Sequence, residues 1–179
     1  MCLRHFEHKN IDIVMAKVCI IGRVYSASIE RRTVKREVIA SDSFYEDNVA
    51  PAVKTSDIHK WLNGLKRFNE VSRQTLPIII ETHSKVVDLF RKISGMNKRS
   101  LASKYLHFHL PDLFYIYDSR AVDGLRRILP RFRTKNLFSA CDPKYSKFCQ
   151  KVFWLQQSIE HTFRKRLTPR QLDRLLLKT

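Results

Sequence analysis

Helix punctuation is the feature that most narrows the folds open to this chain. Pro77 stands ahead of I-I-I-E-T-H-S-K-V-V-D-L-F-R-K-I, Asp142-Pro143 ahead of a long apolar-periodic run, and Thr168-Pro169 ahead of a short C-terminal helix over 170–178. Proline at a first helical position gives up only an N–H that would be unpaired there, so each of these marks a start. Ser94-Gly95 marks a stop, because glycine takes the left-handed conformation without a side-chain penalty. Between these marks the apolar residues keep three-to-four spacing. Ile13, Ala16, Ile20/Ile21, Val24, Ala27 and Ile29 predict a long helix capped by Asn10 or Asp12 and running to Arg31 and Arg32. Ser56 caps a helix with Ile58, Trp61, Leu62 and Leu65 on one face. Another runs from Ser100 to Leu110, broken before Pro111, and the next starts at Asp118 or Ser119 and ends before Pro130. After Pro143 the inward positions are Tyr145, Phe148/Cys149, Val152, Leu155, Ile159 and Phe163, and both Trp61 and Trp154 fall at core positions.

There is no internal repeat and no low-complexity tract, and glycine is scarce, with four in 179 residues. The expected fold class is all-α, about seven helices in one domain over 1–179, with 1–9 loosely held. Residues 33–40 read either as a short strand or as a helix continuation, and the acidic run Ser41–Asn48 as a loop. Arg131–Ala140 reads as a basic loop.

Charge bounds the function. The chain has 34 Lys and Arg against 17 acidic residues, a net +17 and a pI near 10.1. So large an excess repels itself in a compact state, and a polyanion relieves it, so double-stranded DNA is the expected partner. The basic residues are spread along the chain rather than gathered on one amphipathic helix, which argues against a membrane surface. The four cysteines form no C-x-x-C pair, and Cys19 and Cys149 sit in apolar helical patterns, which fits reduced thiols. No apolar leader opens the chain, and Asp12 and Lys17 interrupt Ile11–Ile21, so a cytoplasmic protein without a membrane span is expected. Cys2, His5 and His8 have a spacing that could touch a metal, but a loose terminus does not preorganise a site. No metal and no cofactor are expected.

Ser94–Leu129 concentrates the candidate chemistry. Asp118 has a plain reading as an N-cap, which aspartate at a helix start commonly is. It also follows F-Y-I-Y, an aromatic approach in which Phe114, Tyr115 and Tyr117 could line a pocket and stack an extruded base. A carboxylate held there stays charged while poorly solvated, which suits stabilising a cation on a sugar. Arg120, Arg126, Arg127, Arg131, Arg133 and Lys135 are either a solvated face or phosphate contacts, and the +17 background favours the second. The turn ahead of Ser100, with Gly95, Asn97, Lys98, Arg99 and Ser100, could offer backbone N–H groups to a phosphate. Lys104 is by default a surface lysine and would need burial to act as an amine nucleophile. His107 and His109 lie two apart, so a helix points them to different faces.

Turn, helix, proline-containing loop and then aspartate at a helix start resembles the catalytic half of the helix-hairpin-helix DNA glycosylases. The resemblance covers about 40 residues. It implies an all-α enzyme that flips a nucleotide from duplex DNA and cleaves its N-glycosidic bond, leaving an abasic site for base excision. In it the hairpin falls on Ser94–Ser100 and the catalytic aspartate on Asp118. The family hairpin is richer in glycine than S-G-M-N-K-R-S, and Lys98 stands roughly where the lyase-competent members carry a lysine, with Lys104 further along. The wording I-G-R-V-Y-S-A-S-I-E-R-R, S-L-A-S-K-Y-L-H-F-H and Y-I-Y-D-S-R-A resembles a bacterial branch of the superfamily. That branch implies antiviral defence against phage DNA carrying a modified cytosine, glucosylated hydroxymethylcytosine, by a monomer. The alternative is a non-catalytic helical DNA-binding regulator with the Ser100 or Asp118 helix in a major groove. A deep pocket at Asp118 would favour the enzyme, and a flat basic face with Asp118 buried as a cap the regulator. An RNA-directed nuclease or toxin has no paired His or clustered carboxylates to support it.

Overall fold

Asn10 starts the first helix as its position suggests: its side chain accepts from Ile13 N at 3.0 Å and opens α1, Ile11–Val24. The computed structural model describes residues 1–31, 43–131, 134 and 140–179, and these contain eight α-helices and no strand. α1 does not continue to Arg31 as the periodicity predicts. It stops at Tyr25, Ser26 takes a positive φ of 52°, and Ala27 N turns back to donate to Gly22 O at 2.7 Å. A Cβ on Gly22 would sit 3.0 Å from Ser28 Cα, so any larger residue would crowd the reversal. Ala27 and Ile29 are core residues all the same, delivered by a loop rather than a helix. Helical spacing was mimicked by a chain that folds back onto the same face.

Arg32, residues 33–40, Ser41 and Asp42 lie outside the described residues, as does most of the basic loop expected over 131–140. The acidic run expected as a loop is helical from Phe44: a π-helical turn, Tyr45–Val49, leads into α2, Ala50–Lys54. Phe44 and Val49 anchor it in the core, and the Tyr45 hydroxyl donates to Glu30. α3 is Ile58–Leu65, with Ile58 N reaching Ser56 Oγ at 3.4 Å. α4, Leu76–Ser94, carries Pro77 in its first turn and ends on Gly95 at φ 76°, as the punctuation indicates. α5 is Arg99–His109, α6 Ser119–Ile128, α7 Pro143–Phe163 and α8 Pro169–Lys178. Asp142 caps α7 through Lys144 N and Tyr145 N, and Thr168 forms a capping box with Gln171 ahead of α8.

α5 is the element the others pack around. Leu101, Ala102, Ser103, Lys104, Tyr105, Leu106, His107 and His109 are all buried, so both faces of the helix are covered. Residues 1–9, expected to be loosely held, are tied to it: Cys2 and His8 are buried, and His8 Nε2 lies 2.8 Å from the Tyr105 hydroxyl. The buried Lys17 ammonium donates to Glu7 O at 2.9 Å and holds the same segment. Two expected core residues of α7 are instead on the surface, Trp154 at 45% exposure and Phe163 at 72%. Trp61 is partly buried against the core.

The seat of α8 is Gly124 on α6, where a Cβ would meet Leu176 O at 2.0 Å and Leu176 C at 2.8 Å. Both contacts are backbone, so neither can swing aside. Gly124→Ala is expected to destabilise the protein by about 1–3 kcal/mol through overpacking, read as a lower urea midpoint.

Three histidines make the fold acid-sensitive. His8, His83 and His109 are buried, each with its pKa lowered to about 3 chiefly by desolvation. His83 stacks on Tyr145 with ring centroids 3.4 Å apart and donates to Arg99 O at 3.2 Å, at the start of α5. Because the folded values lie below the unfolded value near 6.5, the unfolded chain binds more protons between about pH 6.5 and 3. Stability is therefore constant above about 6.5 and falls as the pH drops below it. By linkage each histidine is expected to remove on the order of 2 kcal/mol between pH 7 and pH 5, seen as a falling melting temperature across that window.

Candidate functional site: a buried lysine and a capping aspartate in a basic cleft

The loop after Pro111 is clamped from below before it reaches Asp118. His107 Nδ1 donates to Phe114 O at 2.8 Å, Tyr145 Oη donates to Tyr115 O at 3.1 Å, and Tyr117 N donates to Ser103 Oγ at 3.0 Å. These bonds turn two of the three expected pocket aromatics inward. Phe114 is fully buried, and Tyr115 is buried with its hydroxyl donating to Gln156 Oε1 at 2.6 Å, so both are core. Tyr117 alone of the three lines the cleft.

Asp118 divides its two oxygens between two tasks. Oδ1 accepts from Ala121 N at 2.9 Å and caps α6, while Oδ2 lies 3.2 Å from Lys104 Nζ. The lysine, by default a surface residue, has a side chain only 7% exposed, and that of Asp118 is 24% exposed. Lys104 Nζ also donates to Tyr25 O at 3.0 Å and to Ser100 Oγ at 3.1 Å. The early end of α1 supplies the first of these acceptors, because Tyr25 is the residue at which the helix stops. Three acceptors thus match the three N–H donors of an ammonium, which is how a charge is kept in a poorly solvated place.

Above this pair opens a cleft of about 830 Å³. Asn97 and Lys98 of the α4–α5 turn form one side, Arg31 and Ser26 a second, and Arg170 and Arg174 of α8 a third. Lys98 donates to Arg31 O, and half-burial lowers its pKa against the opposing pull of Glu30. Arg99, expected as a phosphate contact, lines the cleft and is held there at 2.6 Å by the Asp142 carboxylate, which ties α5 to α7. Gly95 shapes the turn without lining the cleft, whereas Asn97, Ser100 and Arg120 line it. Arg126 pairs with Asp123 on the surface, and Arg127 and Arg131 are exposed and do not line the cleft. Arg133 and Lys135 lie outside the described residues.

Several lining residues went unnoticed in the sequence: Tyr25, Lys144, Arg170, Asp173 and Arg174. Asp173 is buried, with its pKa raised by desolvation and by repulsion from Asp118, against Arg170, Lys104 and Arg120. The one available signal was Gly124, an interior helix glycine of the kind that marks a close backbone approach. Among the described residues, no group of His, Cys, Asp and Glu is arranged to hold a metal ion, and no helix is long and apolar enough to cross a membrane. Compared with known proteins, the chain matches no family model, no curated protein and no solved structure.

The Lys104–Asp118 contact is expected to be energetically coupled. In a double-mutant cycle of Lys104→Met and Asp118→Asn, a coupling free energy of about 1–3 kcal/mol is expected from urea melts. The exposed Lys85–Glu81 pair should give a few tenths.

Proposed function

We propose that this protein is a DNA glycosylase that draws a modified nucleotide out of the duplex and hydrolyses its N-glycosidic bond, leaving an abasic site. The observation that carries the reading is the Lys104–Asp118 pair at the floor of a cleft in a chain of charge +17. A regulator lying in a major groove needs a projecting basic face, whereas a carboxylate recessed beneath cationic walls favours an enzyme acting on an extruded nucleotide. The substrate class follows the resemblance drawn above: phage DNA bearing a glucosylated hydroxymethylcytosine, cleaved as an antiviral defence.

Lys98, Arg120, Lys144 and Arg174 grip the phosphates flanking the target, and the cost of bending the duplex is offset by these contacts. The sugar enters over Asp118 with Tyr117 beside it. As the bond to the base lengthens, positive charge grows on C1′ and the ring oxygen, and the Asp118 carboxylate is the nearest fixed anion. Lys104 holds that carboxylate in register. Because its three donors already have acceptors, it acts as a cation and not as an amine nucleophile. A water oriented by Asp118 then adds to C1′.

A preorganised charge of this kind contributes roughly two to three powers of ten in rate. Asp118→Asn keeps the cap, since asparagine caps as well as aspartate, and is expected to lower base release by that factor with DNA binding retained. The measurement is abasic-site formation on duplexes carrying different cytosine modifications, and a wild-type rate in Asp118→Asn contradicts the assignment. Borohydride is expected to trap no enzyme–DNA adduct, and trapping lost in Lys104→Met would instead make Lys104 the nucleophile.

A further inference from the structure

We infer that Asp173 is the acid of this reaction: its carboxyl group touches the departing base across the cleft from Asp118 and gives it a proton. The inference rests on the glycosylase reading and adds to it a second carboxyl with the opposite task.

Three observations carry it. Asp173 lines the same cleft as Lys104 and Asp118. Its side chain is only 5% exposed, and its Oδ1 is a buried oxygen with no hydrogen-bond partner among the described residues. The other oxygen, Oδ2, is placed by Arg170 at 3.2 Å. An ordinary pair three residues apart on a helix does not look like this. Arg91–Asp88 and Arg126–Asp123 have the same spacing, and both of their members are more than half exposed. The chain also reserves Gly124 so that α8 can close on α6 at backbone contact, which is what carries Asp173 into the cleft. An unpartnered buried oxygen is costly, and a ligand that supplies the partner recovers that cost.

The charged groups facing Asp173 are Arg170 on its own helix, Asp118 and Arg120 at the start of α6, and Lys104 on α5. Burial, and after it the charge of Asp118, raise its pKa against the three cations, the direction a proton donor needs. In the reaction the C1′–N bond breaks with its electron pair passing to the base. The Asp173 O–H proton goes to the base, on the ring carbonyl oxygen beside the glycosidic nitrogen of a pyrimidine. Water supplies the oxygen that bonds to C1′ and yields its proton to Asp118. Release of that proton to solvent and reprotonation of Asp173 from solvent restore the site.

The test measures single-turnover base release against pH for the wild type, Asp173→Asn and Asp173→Ala on duplexes with graded leaving groups. Asp173→Asn removes a buried titrating group and keeps an acceptor for Arg170, so it is expected to melt at or above the wild-type temperature. Its release is expected to be slower by about 10²-fold at neutral pH. The wild-type rate is expected to fall as pH rises through the raised pKa of Asp173, and this alkaline limb should be absent in both variants. The defect should shrink on bases that depart readily. A limb that survives in Asp173→Asn overturns the assignment while leaving the glycosylase reading intact, and so does a wild type without a limb, even if neither variant folds. Failure of the wild type to release any base overturns both.

Discussion

A lysine ammonium inside a helical core is the constraint on which the rest of this structure turns. Lys104 sits on α5, which is covered on both faces, and its side chain is only 7% exposed where it lines the cleft. Leaving such a charge without acceptors would cost several kcal/mol, so the surrounding elements must each bring one. α1 ends early and leaves the Tyr25 carbonyl, the first turn of α5 contributes Ser100, and the loop before α6 brings Asp118. Three separate segments are thereby fixed relative to one buried nitrogen. The arrangement gives one carboxylate three places in the structure: Asp118 pairs with the lysine, caps α6 and lines the cleft.

That double use explains what could be read from the sequence. The starts at Asn10, Pro77, Asp142-Pro143 and Thr168-Pro169 and the stop at Gly95 were legible because capping is local chemistry. Asp118 was legible for the same reason. The end of α1 was not, because Ala27 and Ile29 keep a helical spacing while reaching the core from a loop. Exposure of Phe163 and Trp154 was equally hidden, since a long amphipathic helix can outrun the surface it packs on. In the site, the inward turn of Phe114 and Tyr115 depends on partners at His107, Tyr145 and Gln156, which no local pattern announces. Lys104 could be named but not buried on paper: its acceptor Tyr25 lies 79 positions earlier. Asp173 was invisible until α8 was seen to close over α6.

The cleft gathers part of the charge excess. Cationic side chains from the α4–α5 turn, α6, α7 and α8 converge around it, among them Lys98, Arg120, Lys144 and Arg174. Arg99 lines the cleft too while pairing with Asp142, and Arg166, away from it, is spent on Glu70 and Glu160. On the proposed reading, a polyanion entering here meets cationic walls, and the Asp118 carboxylate, held by Lys104, is an anion within the cleft for a developing cation on the sugar.

A structure of the Asp118→Asn protein bound to a duplex carrying one glucosylated hydroxymethylcytosine tests the central claim most directly. The account expects a bent duplex with that nucleotide swung into the cleft, its C1′ against position 118 and its base toward Asp173. A straight duplex lying along the α5 or α6 surface, with the nucleotide stacked in the helix and the cleft empty, would contradict it.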